Sequence, residues 1–325
     1  MTKWLVTGAA GFIGSNLTRL LLREGHEVIG VDNFSNGDPL NLKGIEGSFA
    51  FIEGDIRDFS LCQQLCDSVD CVSHQAAMGS VPKSIDFPLE SHENNVTGFL
   101  NMILAAKNAG VRFVYASSGS VYGDNEETEK SEWMEGRALS PYAVTKKIDE
   151  LYAEIFKEVY DFDSVGLRYF NVYGPRQKCT GAYANVIPIW TNSLLKGEPV
   201  YINGDGAITR DFVFVEDVGK ANLMAGSTKT PGALVVNVGT GKSTTLNHLF
   251  GILKKQINSK ETPSYRPFRE GDALKSVASI SAAKKYLNYT PGYTLREGLH
   301  KTVEWYREWN EAKAKCRDLN REEGL

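Results

Sequence analysis

Short apolar runs alternate with amphipathic stretches through the first half of the chain. The apolar runs predict β-strands at residues 4–7, 27–32, 49–52, 70–74, 111–117 and 164–169. The stretches between them carry apolar residues every three to four positions and predict helices, for example at 60–68, 95–109 and 142–160. Alternation of strand and helix is typical of a doubly wound parallel sheet, so we expect an α/β fold.

The pattern becomes irregular after Gly174-Pro175. Short apolar segments, many glycines and a polar C-terminal helix predict a smaller, mixed α/β lobe. Two segments, Phe212 to Val218 and Val235 to Gly239, are expected to return to the main sheet. We therefore predict a first domain of residues 1–172 plus about 212–240, and a second of about 173–211 plus 241–325.

The first strand and the first helix are joined by a glycine-rich turn, Thr7-Gly8-Ala9-Ala10-Gly11-Phe12-Ile13-Gly14. Gly8 permits the tight turn, Gly11 lets backbone N–H groups approach a pyrophosphate, and Gly14 lets the helix pack close to the strand. The N-terminus of that helix offers free N–H donors to phosphates. The spacing is G-x-x-G-x-x-G, and in isolation it would indicate a plain turn. In the strand–turn–helix context it predicts a dinucleotide cradle of the Rossmann type.

The second predicted strand ends in an acid, Asp32. A carboxylate at that position accepts hydrogen bonds from an adenosine ribose and repels a 2′-phosphate. The sequence therefore favours NAD over NADP as the cofactor.

Bulk composition excludes several classes of protein. The chain has 325 residues, 42% of them hydrophobic and 23% charged, and a net charge of −4. This composition is that of an ordinary globular protein and gives no electrostatic footprint for nucleic acid. There is no 18-residue apolar span and no apolar segment of a signal peptide before the glycine turn, so we expect a cytoplasmic protein without a membrane partner. The five cysteines form no C-x-x-C pair, and the five histidines show no ligand spacing. A metal role for Cys62, Cys66 and Cys71 is the alternative to buried structural thiols, which are favoured, so no metal is expected.

A second motif, Ser140-Pro141-Tyr142-Ala143-Val144-Thr145-Lys146, lies in mid-chain. Serine at the N-cap and proline in the first turn predict a helix start. Tyr142 and Lys146 then lie one turn apart on one face, where the ammonium favours the phenolate. Such a tyrosine can act as a general base toward a sugar hydroxyl. Y-x-x-x-K alone is common in amphipathic helices, but here it follows a glycine turn and the apolar strand that ends at Ser117-Ser118.

Together these motifs resemble the extended short-chain dehydrogenase/reductase family. Within it the chain is similar to nucleotide-sugar 4-epimerases, especially those acting on UDP-N-acetylhexosamines. The resemblance covers almost the whole chain. It rests on Thr7–Gly14 and Ser140–Lys146 and on further stretches in family order: 32–35, 53–56, 74–77, 79–82, 95–98, 118–123 and 168–175.

The resemblance implies a role for each matching residue. Ser118 matches the hydroxyl that hydrogen-bonds the sugar O4, Tyr142 the base, and Lys146 its ribose-binding partner. The implied NAD contacts are Gly8, Gly11, Phe12, Ile13, Gly14, Asp32, Asn33, Phe34, Ser35, Gly37, Asp55, Ile56, Gln75, Ala76, Ala77, Asn95, Tyr142, Lys146, Tyr169 and Val172. The implied substrate contacts are Gly79, Ser80, Ser118, Ser120, Tyr142, Asn171, Asn185, Val186, Tyr201, Ile202, Asn203, Arg210, Arg269, Asp272 and Ser276.

Within the substrate set, Arg210 and Arg269 match the diphosphate arginines, because guanidinium groups suit phosphate oxygens. Asp272 matches the acceptor for the uridine ribose, and residues 201–203 match the segment that packs on uracil. Ser276 matches a position lining the sugar pocket, where a small side chain leaves room for an N-acetyl group.

The resemblance implies a UDP-hexose 4-epimerase that works through a transient 4-keto sugar, with NAD reduced and reoxidised in each cycle. UDP-GlcNAc/UDP-GalNAc is the expected substrate pair, with some activity on UDP-Glc/UDP-Gal. The alternatives are a UDP-glucuronate 4-epimerase, a decarboxylase or a 4,6-dehydratase, and more remotely a non-catalytic NAD-binding protein. The last two enzymes need acidic groups where this chain has Gly119-Ser120, and a non-catalytic protein should have lost Tyr142 or Lys146. By analogy, a homodimer is expected through a bundle of helices 95–109 and 142–160.

Overall fold

A seven-stranded sheet, parallel throughout, forms the centre of the molecule. The computed structural model describes residues 1–181, 184–268 and 275–322, with side chains through residue 312. The strand order is β12-β7-β5-β4-β1-β2-β3, and every neighbouring pair is parallel. The expected doubly wound α/β sheet is confirmed.

The strands of the described residues are β1 Lys3–Thr7, β2 Glu27–Asp32, β3 Phe49–Glu53, β4 Cys71–His74, β5 Arg112–Ser118, β6 Glu129–Lys130, β7 Ser164–Tyr169, β8 Asn171–Tyr173, β9 Tyr201–Asn203, β10 Thr209–Arg210, β11 Phe212–Phe214, β12 Ala233–Val238, β13 Thr244–Thr245, β14 Ser264–Arg266 and β15 Val277–Ala278. The helices are α1 Phe12–Arg23, α2 Phe59–Cys66, α3 Val81–Asp86, α4 Pro88–His92, α5 Gly98–Ala109, α6 Pro141–Tyr160, α7 Val186–Lys196, α8 Val215–Ser227, α9 Leu246–Ile257, α10 Ser281–Leu287 and α11 Leu295–Glu322. A single π turn, Glu93–Thr97, joins α4 to α5, so the predicted helix 95–109 begins earlier and is irregular at its start.

The two faces of the sheet are both covered. Trp4 and Val6 of β1 belong to the apolar cluster that packs against α1 and α8, whereas Leu5 belongs to the cluster with α2, α5 and α6. Alternate residues of a strand point to opposite faces, so one short apolar run serves both cores. No helix within the described ranges is long and apolar enough to span a membrane.

The prediction for Phe212 to Val218 is wrong. Only Phe212–Phe214 is a strand, and it pairs with β8 in a separate two-stranded sheet rather than with the main sheet. The next residues form α8, whose first turn carries Glu216 and Asp217. Its buried positions Val218, Ala221 and Ala225 recur at helical spacing, and carboxylates favour a helix N-terminus. The other predicted return is confirmed: Ala233–Val238 joins the main sheet beside β7.

A third apolar core lies under the C-terminal elements. It joins residues of α7, α9 and α11 to β9 and β11, with Trp190, Leu253 and Leu299 among its buried members. The predicted boundaries between two domains stay a prediction.

The chain order reverses in the middle of the main sheet, where β1 lies between β2 and β4. The connections that leave β1 and β4 diverge at their carboxyl ends. In open α/β sheets this divergence creates the crevice in which ligands bind.

Candidate functional site

A cavity of about 950 Å³ opens at the carboxyl ends of β1, β2, β4 and β5 and extends toward α7. Most of the site residues predicted from the sequence line it. They are Gly8, Gly11, Phe12, Ile13, Gly14, Asp32, Asn33, Ser35, Gly37, Ile56, Gln75, Ala76, Ala77, Gly79, Ser80, Ser118, Ser120, Tyr142, Lys146, Tyr169, Asn171, Val172, Asn185, Val186, Arg210 and Ser276. Among the described residues, those of the cavity included, no group of three His, Cys, Asp or Glu side chains could hold a metal ion.

The glycine turn forms a cradle that no larger residue could form. Gly8 has a φ of +66°, and a Cβ there would lie 2.9 Å from the backbone of Ala76. A Cβ on Gly14 would lie 2.1 Å from the carbonyl oxygen of Gly8. Helix α1 begins beside this turn, and no side chain caps its N-terminus in the described structure. The cradle therefore presents bare backbone N–H groups, and it fits the pyrophosphate of a dinucleotide.

The hydroxyl of Thr7 holds the backbone of Gln75 and Ala76 next to the glycine turn. Its Oγ1 accepts hydrogen bonds from the backbone N–H groups of Gln75 and Ala76, both at 3.0 Å. The same oxygen lies 3.0 Å from His74 Nδ1. Since the oxygen already accepts twice, its proton is assigned to the bond with Nδ1, and His74 carries its own hydrogen on Nε2. Burial, together with the charge of Lys146, lowers the pKa of His74 to about 3, so the ring is neutral.

Asp32 closes the cradle at the end of β2. Its two carboxylate oxygens accept from the backbone N–H groups of Ala10, at 3.0 Å, and Phe34, at 2.8 Å. Burial nevertheless raises the pKa of Asp32. A Cβ on Gly37 would lie 2.9 Å from both oxygens, so glycine at that position keeps the carboxylate accessible from the cavity.

Three predicted cofactor residues do not line the cavity. Asp55 is engaged by Arg57, which holds the pKa of that carboxyl at about 2, and by the Asn33 amide at 2.9 Å. Phe34 packs on Phe51 with ring centroids 5.3 Å apart.

Asn95, the third of these residues, is buried. Its Oδ1 accepts from Met78 N at 2.7 Å, and its Nδ2 donates to Thr145 Oγ1 at 3.0 Å. Any direct contact of Phe34, Asp55 or Asn95 with the cofactor stays a prediction.

Two adjacent serines end β5, and their hydroxyl groups have different hydrogen-bond partners. Ser117 also borders the cavity, but its Oγ is used inside the protein, where it donates to the buried Glu150 at 2.5 Å. Ser118 lines the cavity, and its Oγ accepts from Ser120 N at 3.1 Å. Because that bond uses the oxygen as an acceptor, the hydroxyl hydrogen of Ser118 is left to donate to a ligand.

Helix α6 delivers Tyr142 and Lys146 to the same wall. Ser140 Oγ caps the helix by accepting from Ala143 N at 3.1 Å, with Pro141 in the first turn as predicted. The backbone N–H of Tyr142 donates to Ser84 Oγ at 3.0 Å, which ties the helix start to α3. The tyrosine is therefore positioned through its backbone, and its ring lines the cavity.

Lys146 is buried although it lies in the cavity wall. Its Nζ donates to Asp149 Oδ2 at 3.0 Å. Burial by itself lowers the pKa of Lys146, but the charges of Asp149 and Tyr142 outweigh that effect and raise the pKa above its ordinary value. The structure therefore places a protonated ammonium beside the phenol.

The predicted substrate residues other than Gly79, Ser80, Ser118, Ser120 and Tyr142, which line the cavity, fall into three groups. Asn171, Asn185, Val186, Arg210 and Ser276 line the part of the cavity beyond Tyr142. The segment Tyr201–Asn203 forms β9 outside that lining, where the Arg266 guanidinium lies 3.3 Å from the Tyr201 ring centroid. Arg269 and Asp272 lie outside the described residues.

Some cavity residues carry no strong sequence signal. Gln177 follows the Gly174-Pro175 turn; its Nε2 donates to Val172 O at 3.2 Å, and its Oε1 has no partner among the described residues. Arg176 has a φ of +68° and donates to Asn16 at 3.0 Å. Trp305 of α11 also lines the cavity. The position of a polar pair directly after Gly174-Pro175, where the pattern becomes irregular, was the only hint to Arg176 and Gln177. Nothing local indicated Trp305.

A family model described as the NAD dependent epimerase/dehydratase family matches residues 4–239. Two curated relatives cover nearly the whole chain. A UDP-glucose 4-epimerase of Mycolicibacterium smegmatis is 40% identical over 94% of this chain and 98% of its own. A UDP-glucuronate 4-epimerase of Thermodesulfobacterium geofontis is 34% identical over 95% of this chain and 97% of its own.

Solved structures are equally similar. A UDP-N-acetylglucosamine 4-epimerase of Methanobrevibacter ruminantium, in complex with UDP-N-acetylmuramic acid, has a TM-score of 0.90 at 36% identity, over 95% of this chain and 99% of that one. A UDP-glucose 4-epimerase of Thermus thermophilus, in complex with NAD, has a TM-score of 0.83 at 34% identity, over 94% and 99%.

Proposed function

Because this chain belongs to the NAD dependent epimerase/dehydratase family, we propose that it inverts the configuration at C4 of a UDP-hexose. One observation carries the proposal: Ser118, Tyr142 and Lys146 line the same cavity as the glycine cradle. A hydroxyl donor, a base and a cation thus lie beside a dinucleotide site, which is what oxidation of a sugar alcohol requires.

Each of the three residues has a defined task. Ser118 donates its free hydroxyl hydrogen to the sugar O4, and Tyr142 takes the O4 proton as the C4–O4 bond becomes a carbonyl. Lys146 stabilises the phenolate that does so. NAD, when bound in the cradle, supplies the hydride acceptor at C4 and the donor in the return step. Tyr142 gives the proton back once the keto sugar presents its other face, so the substrate is isomerised without net oxidation.

The nucleotide must stay bound while the sugar turns. Arg210, Asn185 and Asn171 line the cavity beyond the base, and we propose that they hold the diphosphate together with Arg269. We assign the uridine ribose to Asp272 and the uracil to residues 201–203, which belong to the C-terminal part of the fold. Binding energy from this remote part retains the intermediate without restraining the hexose.

UDP-GlcNAc and UDP-GalNAc are the substrate pair we propose, with UDP-Glc and UDP-Gal as a second pair. Ser276 lines the cavity, and its small side chain leaves space for an acetamido group. Gly79 and Ser80 line the same cavity, and the Gly79 Cα faces open space, with no atom within 4 Å of a Cβ built there.

UDP-glucuronate is the second candidate substrate, because a UDP-glucuronate 4-epimerase matches 95% of the chain. The decarboxylase and dehydratase alternatives find no support at the end of β5. Gly119 and Ser120 follow Ser118 there, and neither can donate or accept the additional proton that those reactions need.

The test incubates purified protein separately with UDP-GlcNAc, UDP-GalNAc, UDP-Glc, UDP-Gal and UDP-glucuronate and resolves the products by chromatography. Interconversion of the N-acetylated pair at the highest rate supports the proposal. Turnover of UDP-glucuronate alone would establish the second candidate. No C4 epimer from any of the five would refute the proposed function.

We also propose that the protein is a homodimer. Helix α6 exposes apolar side chains at 144, 151, 155 and 159, and each of the four is 45–62% exposed. They lie on one face, and α5 packs alongside α6. A contiguous apolar stripe of this kind is costly to leave in water, and a second copy of the same helix pair would cover it.

A further inference from the structure

The buried ammonium of Lys146 requires a counter-charge. A lysine that is removed from water loses its proton readily, with shifts of up to about 3–5 pKa units. Lys146 must nevertheless stay protonated, because a neutral amine would not stabilise the phenolate of Tyr142. Some neighbouring group must therefore keep its charge in place.

Asp149 is the carboxylate in contact with it. The two residues lie one turn apart on the inner face of α6, and their side chains are 3% and 0% exposed. Asp149 Oδ2 accepts from Lys146 Nζ at 3.0 Å, whereas Oδ1 has no partner among the described residues. Both side chains are shielded from solvent, so this ion pair is screened much less than an exposed pair would be.

No other titratable group among the described residues forms an ion pair with Lys146. His74 of β4 is neutral, and its Nε2–H has no partner in the described part of the chain. Tyr115 of β5 is fully buried with an unpaired hydroxyl, and burial raises its pKa far above the ordinary value. Glu150 of α6 is bound to Arg168 of β7 at 2.7 Å and to Ser117. Glu154, farther along α6, is exposed, and it acts on Tyr115 through its charge alone.

We propose that Asp149 is a positioning residue that keeps Lys146 protonated and holds its ammonium beside Tyr142. The inference rests on the proposed function, in which Tyr142 is the base and Lys146 the group that stabilises the phenolate. Asp149 itself touches neither the substrate nor the cofactor cavity, since it is absent from the lining. It acts through Lys146 alone.

The role has a pH signature. Burial raises the pKa of Asp149, so the ion pair with Lys146 exists only at pH values above that pKa. Removing the carboxylate should therefore change the alkaline limb of the pH profile of turnover. Without the carboxylate, the pKa of Lys146 falls, and the amine loses its proton at a pH where the wild-type residue is still charged. The alkaline limb of turnover should then move to lower pH, by at least about one unit.

Asp149→Asn tests the proposal, because it removes the charge and keeps the size. Turnover is measured against pH with a saturating UDP-hexose that the wild type epimerises. Tyr115→Phe is the matched control: it removes a buried polar group from the same pocket without removing a charge. We expect the alkaline limb to move for Asp149→Asn and to stay in place for Tyr115→Phe.

A second measurement, of stability against pH, does not depend on enzymatic activity. Urea unfolding of the NAD-free variant is followed from about pH 8 to about pH 9.5. In Asp149→Asn the folded pKa of Lys146 lies below its unfolded value, so the folded state binds fewer protons and stability rises with pH. The unfolding constant should fall relative to wild type by up to about tenfold per pH unit in this window. If Asp149 had only a structural role, the loss of stability in Asp149→Asn would be the same at every pH.

The outcomes separate the two proposals. A wild type that epimerises nothing refutes the proposed function and is seen before any variant is made. An active wild type with an unmoved alkaline limb in Asp149→Asn, or with a uniform loss of turnover, refutes the role of Asp149. Should Asp149→Asn not fold, Asp149→Ser leaves room for a water molecule beside the ammonium and is read in the same two ways.

Discussion

Replacing Thr7 by valine should destabilise the protein and weaken binding of the cofactor, because the Thr7 hydroxyl holds the backbone of two residues that line the cavity. The substitution keeps the shape of the side chain and removes only the hydroxyl, which serves Gln75 N, Ala76 N and His74 Nδ1 at 3.0 Å each. A polar group left without its partner costs about 1–3 kcal/mol. The two amides lie at the cavity wall, where water reaches them, so about 1 kcal/mol applies to each. His74 is fully buried, so its loss is about 1–2 kcal/mol, and the sum is about 3–4 kcal/mol.

Thr7→Ser is the matched control. It keeps the hydroxyl and removes one buried methyl group, so the expected loss is about 1 kcal/mol. Urea unfolding of the NAD-free proteins measures both values. Calorimetric titration with NAD measures the consequence, since Gln75 and Ala76 line the cavity and their displacement should weaken binding. Equal destabilisation by valine and serine would show that the hydroxyl does not organise the cradle.

Three further predictions concern the base, the sugar pocket and the assembly. Tyr142→Phe should reduce turnover at least about a hundredfold, the usual scale for loss of a general base, with UDP-sugar binding retained in calorimetry; near-wild-type turnover would contradict the assignment. Ser276→Tyr should abolish the reaction of the N-acetylated pair and spare UDP-Glc/UDP-Gal, because an added ring overlaps the acetamido group; an unchanged ratio of the two activities in the chromatographic assay would show that Ser276 is not the gate. Ile155→Glu together with Leu151→Glu should give monomers in light scattering, with Lys255→Glu on the exposed face of α9 as the charge control; a persistent dimer would place the interface elsewhere.

The parts of the fold that the sequence predicted well are those in which one short segment carries the whole signal. The inner strands of the main sheet are runs of four to seven residues buried on both faces, so their apolar character does not depend on their partners. The glycine turn is similar, because Gly8 and Gly14 are required by backbone contacts within the motif and with Ala76. The capped start of α6 and the spacing of Tyr142 and Lys146 are also local.

The segment after Arg210 shows where local reasoning ends. Phe212 to Val215 is a continuous apolar run, which is compatible with a buried strand and with the start of a buried helix. The outcome was decided by partners distant in the chain: β8 accepts the first three residues as a strand, and α1 receives the apolar face of α8. An apolar run of four residues does not distinguish a buried strand from the start of a buried helix, because both structures bury the same side chains.

Asn95 illustrates a different limit, in which the residue is recognised but its task is not. The resemblance assigns it to the cofactor, yet both ends of its carboxamide are used inside the protein, on Met78 N and on Thr145 Oγ1. Met78 precedes the Gly79-Ser80 wall of the cavity, and Thr145 in turn donates to the carbonyl of Tyr142 at 2.8 Å. One amide therefore links the segment that precedes Gly79 and Ser80 to the helix that carries Tyr142. The π turn at Glu93–Thr97 contains Asn95, and such turns concentrate at functional sites. A buried amide bonded at both ends resists movement of either partner, so this residue couples the shape of the pocket to the position of Tyr142.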